Sequence, residues 1–164
     1  MTKILLRDAV PADVPTILAL IKELAIFERQ PDAVIATEAD LLRDGFGPEK
    51  RFGCRVAELD GRVAGFALWF FSYSTWLGRA GIYLEDLYVA EAARGHGLGR
   101  RLIVDMAQVA LRHGAQRLDL SVLDWNPARG FYERLGIQHR SDWLPYRIDG
   151  GDLERLAGEA ESSR

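Results

Sequence analysis

Two adjacent acids, Glu85 and Asp86, interrupt the apolar and aromatic run Leu84-Glu85-Asp86-Leu87-Tyr88-Val89; five residues past Val89 the chain reads Arg94-Gly95-His96-Gly97-Leu98-Gly99. A carboxylate in an otherwise apolar strand is a candidate general base. If the strand is regular, Glu85 shares a face with Leu87 and Val89 and is the better candidate, with a structural carboxylate paired to an arginine as the alternative. Asp86 then points the other way and reads as a structural or charge-balancing acid unless a bulge changes its facing. The glycines are followed by apolar residues at helical spacing: Leu98, Leu102, Ile103, Met106, Ala107, Val109 and Ala110. A glycine-rich turn feeding a helix start is an anion site, because free amides and the positive helix end face the ligand and glycine lets it approach.

Three phosphate patterns compete for such a turn. A P-loop needs Gly-Lys-Ser/Thr after four intervening residues, and Gly99-Arg100-Arg101 does not supply it. The dinucleotide fingerprint needs Gly-x-Gly-x-x-Gly early in a run of alternating units; here the spacing is Gly95-x-Gly97-x-Gly99 and only one such unit is present. The third pattern, Arg-x-x-Gly-x-Gly behind a strand, goes with the pyrophosphate of coenzyme A.

The elements that must position these residues follow the pattern of the chain. Lys3 to Arg7 reads as a strand, and a helix runs from the Pro11–Asp13 turn to about Phe27 with Ile17, Leu18, Leu20, Ile21, Leu24 and Ala25 as its stripe. Thr37 starts a short helix that ends at Gly45. Cys54–Glu58 and Val63–Phe70 read as strands joined at Asp60-Gly61, a hairpin signal. Residues 69–76 are aromatic, with a loop-like end. After the acid-bearing strand and its helix, Arg117 to Leu123 alternates as a strand, Ala128 to Leu135 forms a short helix, and Asp142 to Ile148 is expected to be a last strand. The fold class is α+β, an α/β/α three-layer arrangement around a mixed sheet. One domain is expected over residues 1–157, with 158–164 a frayed tail.

Composition narrows the partners. The 164 residues are 48% hydrophobic and 27% charged, with net charge −3 and no basic block, which argues against nucleic acid. A single cysteine, Cys54, rules out an internal disulfide. No apolar run reaches membrane-spanning length and the N-terminal residues show no signal pattern, so a cytoplasmic protein without a membrane partner is expected. His96, His113 and His139 lack ligand spacing, so no metal is expected.

Arg94-Gly95-His96-Gly97-Leu98-Gly99 behind Leu87-Tyr88-Val89 resembles the acyl-CoA motif of the GNAT family of N-acetyltransferases, and Asn126 with Phe131-Tyr132-Glu133-Arg134-Leu135-Gly136 resembles that family's second motif. Leu20–Ala25, Thr37-Glu38 with Asp40-Leu41-Leu42, Asp44–Gly47, Tyr83–Asp86 and Trp125-Asn126 resemble, in the same order, its diamine (spermidine/spermine) branch. The resemblance implies the GNAT fold with a splayed central sheet, acetyl-CoA as co-substrate, and a homodimer with shared sites. It implies that the backbone of Leu87, Tyr88 and Val89 pairs with the pantetheine arm, that Arg94 to Arg100 and Asn126 serve the coenzyme, and that a bulge aims an amide at the thioester carbonyl.

Acetyl transfer needs a neutral amine, yet an alkyl amine with a pKa of about 10 is protonated at neutral pH, so a base must take a proton. The resemblance tips Glu85 toward that role and makes Tyr132 the general acid for the departing thiolate. Phe27, Glu28, Trp76, Asp119 and Ser121 match substrate-side positions, where acids and aromatics suit a cation. The chain departs from the branch at Arg29-Gln30-Pro31-Asp32, in place of an acid-rich segment, and at Ser74-Thr75-Trp76, where a loop acid is missing. Fewer acids favour a lysine-like amino acid, a thia-analogue or another small amine over a long polyamine. The rival expectations are an antibiotic or protein amine acetyltransferase and a non-catalytic acyl-CoA-binding module.

Overall fold

A computed structural model describes residues 1–159, which form two compact units, Met1–Asn126 and the described residues from Pro127 onward. The last five residues of the expected tail, 160–164, lie outside the described residues.

The first unit holds five strands in the order β1 (Ile4–Asp8), β2 (Gly53–Leu59), β3 (Arg62–Ser74), β4 (Arg79–Val89) and β5 (Leu118–Leu120). The first four pair antiparallel and β5 lies parallel to β4, which makes the sheet mixed as expected. Helices α1 (Val14–Phe27) and α2 (Glu38–Phe46) precede β2, and α3 (Leu98–Arg112) joins β4 to β5.

Local chemistry accounts for these elements. The Asp13 carboxylate, just ahead of α1, accepts from the Val10 N–H at 2.8 Å and from two Arg7 nitrogens at 2.7 and 3.0 Å. Arg7 holds that carboxyl below its ordinary value. Thr37 caps α2 reciprocally: Asp40 N–H donates to Thr37 Oγ1 at 3.2 Å and Thr37 N–H to Asp40 Oδ2 at 2.9 Å. Asp60 and Gly61 both have positive φ, 51° and 81°, as a two-residue hairpin turn between β2 and β3 requires.

The sheet is covered on both faces. Val14, Ile17, Leu18 and Leu20 of α1 and Leu41 of α2 bury against Cys54, Val56, Phe66, Leu68 and Tyr88. Leu102, Met106 and Val109 of α3 are buried, as are the strand residues of opposite facing, Ala57, Ala67, Ile82 and Leu84. Each buried Leu, Ile or Val contributes about 1.5–3 kcal/mol. Arg55 of β2 bonds Asp105 of α3 through Nε at 2.6 Å and a second nitrogen at 3.0 Å, and reaches Asp8 of β1 at 2.8 Å.

Three expectations change. β3 continues through Ser74, because β4 pairs with it as far as Ser74↔Arg79; the end of the aromatic segment, expected to be loop-like, is strand up to that residue. The expected strand Arg117–Leu123 is β5, only Leu118–Leu120, since β4 pairs with it just from Ile82 to Leu84. The second unit carries α4 (Ala128–Arg134) and α5 (Gly150–Gly158). Asp142–Ile148 lies between them, exposed and without a ladder partner among the described residues, so no last strand forms there.

Candidate active site

The acid pair stands at a break in the β3–β4 ladder. Asp86 pairs with Leu68 and Leu84 with Trp69, so two neighbours on β3 face three residues of β4. Leu84 and Asp86 therefore lie on opposite faces of the sheet. Asp86 takes the face of Leu68 and Tyr88, toward α1, and is half-buried; Glu85 is exposed at the bulge. The alternation breaks between Leu84 and Asp86; Asp86 points away from Leu87 and Val89, as expected, and lies on the α1 side. Burial first, then the charges of Glu85 and Glu28, push the Asp86 carboxyl up to about 6. Burial raises Glu28 too.

Past the bulge the sheet splays. β5 leaves β4 after Leu84, so from Glu85 to Val89 β4 bonds β3 on one side and no strand on the other among the described residues. That open edge leads through a single helical turn, Glu91–Ala93, into the glycines. Gly95 (φ 84°) and Gly97 (φ 75°) are left-handed, and a Cβ at either would meet nothing within 4 Å. Gly97 caps α3, a 15-residue helix with no acid in its first turn. Open space, free amides and a positive helix end thus coincide, as an anion needs.

The flanking residues order this turn. His96 Nδ1 lies 3.2 Å from Ala93 O and 3.1 Å from Arg94 O, which requires the proton on that nitrogen. Leu98 is buried in the core, so its amide and not its side chain is offered to a ligand. Arg100 and Arg101 flank an open groove with His96 and Gly97. Arg94 folds back onto β4, its Nε donating to Val89 O at 3.2 Å and its guanidinium 5.5 and 5.6 Å from the Phe27 and Tyr88 rings. Asn126 is buried, and its N–H donates to Leu123 O at 2.9 Å.

Phe27 and Glu28 close α1 near Asp86, and the Phe27 ring is 6.2 Å from that of Trp125. Asp119 pairs with Arg117 at 2.8 Å, and the Ser121 and Tyr83 hydroxyls are 2.6 Å apart. Trp76 does not join this group. It is exposed on the β3–β4 turn, and the eight residues of β4 from Arg79 to Asp86 span about 23 Å. Tyr132 lies on α4 in the second unit, its ring 5.2 Å from Phe131 and its carbonyl accepting from the Leu135 and Ile137 N–H groups. The bulge itself escapes sequence reading because it depends on both paired strands. The hint was two adjacent acids where alternation allows one.

Residues 17–137 match the family model for the acetyltransferase (GNAT) family. The chain belongs to that family of N-acetyltransferases. Within it, the chain is 41% identical to a thialysine N-epsilon-acetyltransferase of Bos taurus, over 97% of this chain and all of that one. It is 36% identical to a human spermidine/spermine N(1)-acetyltransferase-like protein, over 94% of this chain and 24% of that larger one. Among solved structures, an integron cassette protein from the mobile metagenome of V. cholerae superposes with TM-score 0.78 at 26% identity, covering 94% of this chain and 97% of that one. These relatives place the chain in the diamine acetyltransferase branch.

Proposed function

We propose that this N-acetyltransferase uses acetyl-CoA to acetylate the primary amine of a small molecule, by direct attack in a ternary complex. The observation that carries the reading is the open edge of β4, which lies between the acid pair and the glycine turn. The amides of Gly95 to Gly99 suit a pyrophosphate, and the free peptide groups of Leu87 to Val89 suit an extended amide-bearing arm. When bound, acetyl-CoA supplies an acetyl group activated as a thioester.

The chain's own groups then handle the amine. Glu85, at the mouth, attracts the ammonium, while Phe27 and Glu28 line its approach. Asp86, held among apolar atoms, accepts the proton directly or through water. Tyr132 keeps the proton-donor role toward the leaving sulfur, and Asn126 a place beside the coenzyme; Asp119 and Ser121 border the amine's path.

Thialysine and polyamines, the amines in the relatives' names, are the first substrates to try. A homodimer is part of this reading: Trp76 stands far along β4 from Asp86 of its own chain, beside exposed Phe71, Tyr73 and Leu77, so it would serve a partner's site. A cytoplasmic location goes with the single free thiol. Thiol release from acetyl-CoA with a panel of amines tests the whole. Release with primary amines is expected; none with any amine, despite tight coenzyme binding, leaves only a binding module.

A further inference from the structure

Helix α1 ends in a conformation its sequence resists. Gln30 N–H donates to Ala25 O at 2.8 Å and Arg29 N–H to Ile26 O at 3.0 Å, the two bonds of a Schellman closure. The left-handed slot of that closure, where glycine is usual, holds Arg29 at φ 62°. A side chain in that slot strains the backbone. The strain sets an exposed arginine on an aromatic face: its guanidinium carbon is 4.0 Å from the centroid of the Trp125 ring. Trp125 in turn packs on Phe27.

Arg29 forms no ion pair with a carboxylate among the described residues. A guanidinium seated on an indole keeps its N–H edges available, and those edges fit a carboxylate with two parallel hydrogen bonds. The opposite charge lies one residue away. Glu28 precedes Arg29 in the chain and faces the acids of the β4 bulge. The site therefore presents carboxylates at the reacting end and, past Phe27 and Trp125, an unneutralised cation.

We propose that Arg29, seated on Trp125, binds a carboxylate at the far end of the amine substrate, so that the substrate class is an amino acid with a side-chain amine and not a diamine. This rests on the acetyl-transfer reading above. The second ammonium of a diamine would meet a guanidinium of like charge, whereas an amino acid answers both ends of the site.

Lysine and cadaverine form the probe pair, since they share a chain and differ by the carboxylate. The wild-type enzyme should favour lysine in kcat/KM. Arg29→Gly places glycine in the left-handed slot and so keeps the helix end. It should cut the lysine-to-cadaverine ratio about tenfold or more, through KM for lysine and not kcat. Arg29→Lys, which retains a charge without the fork, should fall between. A wild-type preference for cadaverine, or the same ratio in Arg29→Gly, overturns the proposal while leaving amine acetylation intact. Acetylation of neither amine nor any other sinks the acetyl-transfer reading itself, and this proposal with it.

Discussion

Asp86 sits opposite Leu68 across the β3–β4 ladder, one step out of phase with the neighbouring pair Leu84 and Trp69. That slip carries a carboxylate into the α1 side of the sheet, where burial and two neighbouring acids hold its proton more tightly than water would.

The pH dependence of the rate follows. A base must be ionised to accept a proton, so kcat/KM should climb as pH rises through about 6, the value to which Asp86 is pushed. Asp86→Asn should remove that limb and lower turnover about a hundredfold or more. An unchanged pH profile in Asp86→Asn takes the residue out of the proton path.

Stability should respond in the opposite sense. The folded carboxyl titrates near 6 and the unfolded one near 3.8, so between these values the folded state holds more protons. Stability attached to this group is present at low pH, falls as pH rises from about 4 to about 6, and stays low above. Asp86→Asn should therefore be more stable than the parent at pH 7, by on the order of 1–3 kcal/mol, in urea titrations. Equal midpoints at pH 7 would show that the site does not penalise the charge.

Glu85 offers a contrast. It is exposed at the bulge, so Glu85→Gln should act chiefly on capture of the cation: a higher KM for the amine, a few-fold, with an effect that shrinks at high salt. If Glu85→Gln costs more in kcat than Asp86→Asn, the base is Glu85.

At the glycine turn, Gly97→Ala places a Cβ in space now open and demands a left-handed backbone from alanine, about 1–2 kcal/mol. Coenzyme affinity, read by calorimetry, should fall well beyond what that loss of stability explains. Tight binding by the variant would move the anion away from this turn.

The Arg55–Asp105 pair is a structural counterpart to the site. Both side chains are nearly buried, so Asp105→Ala should destabilise by about 3–5 kcal/mol in chemical denaturation, leaving the Arg55 charge short of its main partner. A loss below about 1 kcal/mol would mean that water replaces the carboxylate there.

The elements legible from sequence are those whose signals are local. The α1 stripe, the Thr37 cap, the Asp60-Gly61 turn and the glycine turn into α3 each depend on residues within one or two turns of chain. The left-handed angles of Gly95 and Gly97 are local in the same way. What depends on two distant segments was not legible. The bulge before Asp86 needs the register of β3; the short β5 needs the point where β4 stops pairing. Asp142–Ile148 has the apolar alternation of a strand, with Trp143, Leu144, Tyr146 and Ile148, yet alternation alone supplies no ladder partner. Arg29 was visible as a departure from an acid-rich pattern, but its seat on Trp125 joins residues 96 positions apart.

The unpaired edge of β4 has a cost apart from catalysis. A run of bare peptide groups from Glu85 to Val89 is a template on which another polypeptide strand can crystallise its own pairing. A ligand lying along that edge would occupy the template. Resistance to clumping and heat tolerance of this protein would then track the supply of that ligand, with folding stability rising by about 2.7 kcal/mol when the ligand stands at a hundred times its dissociation constant.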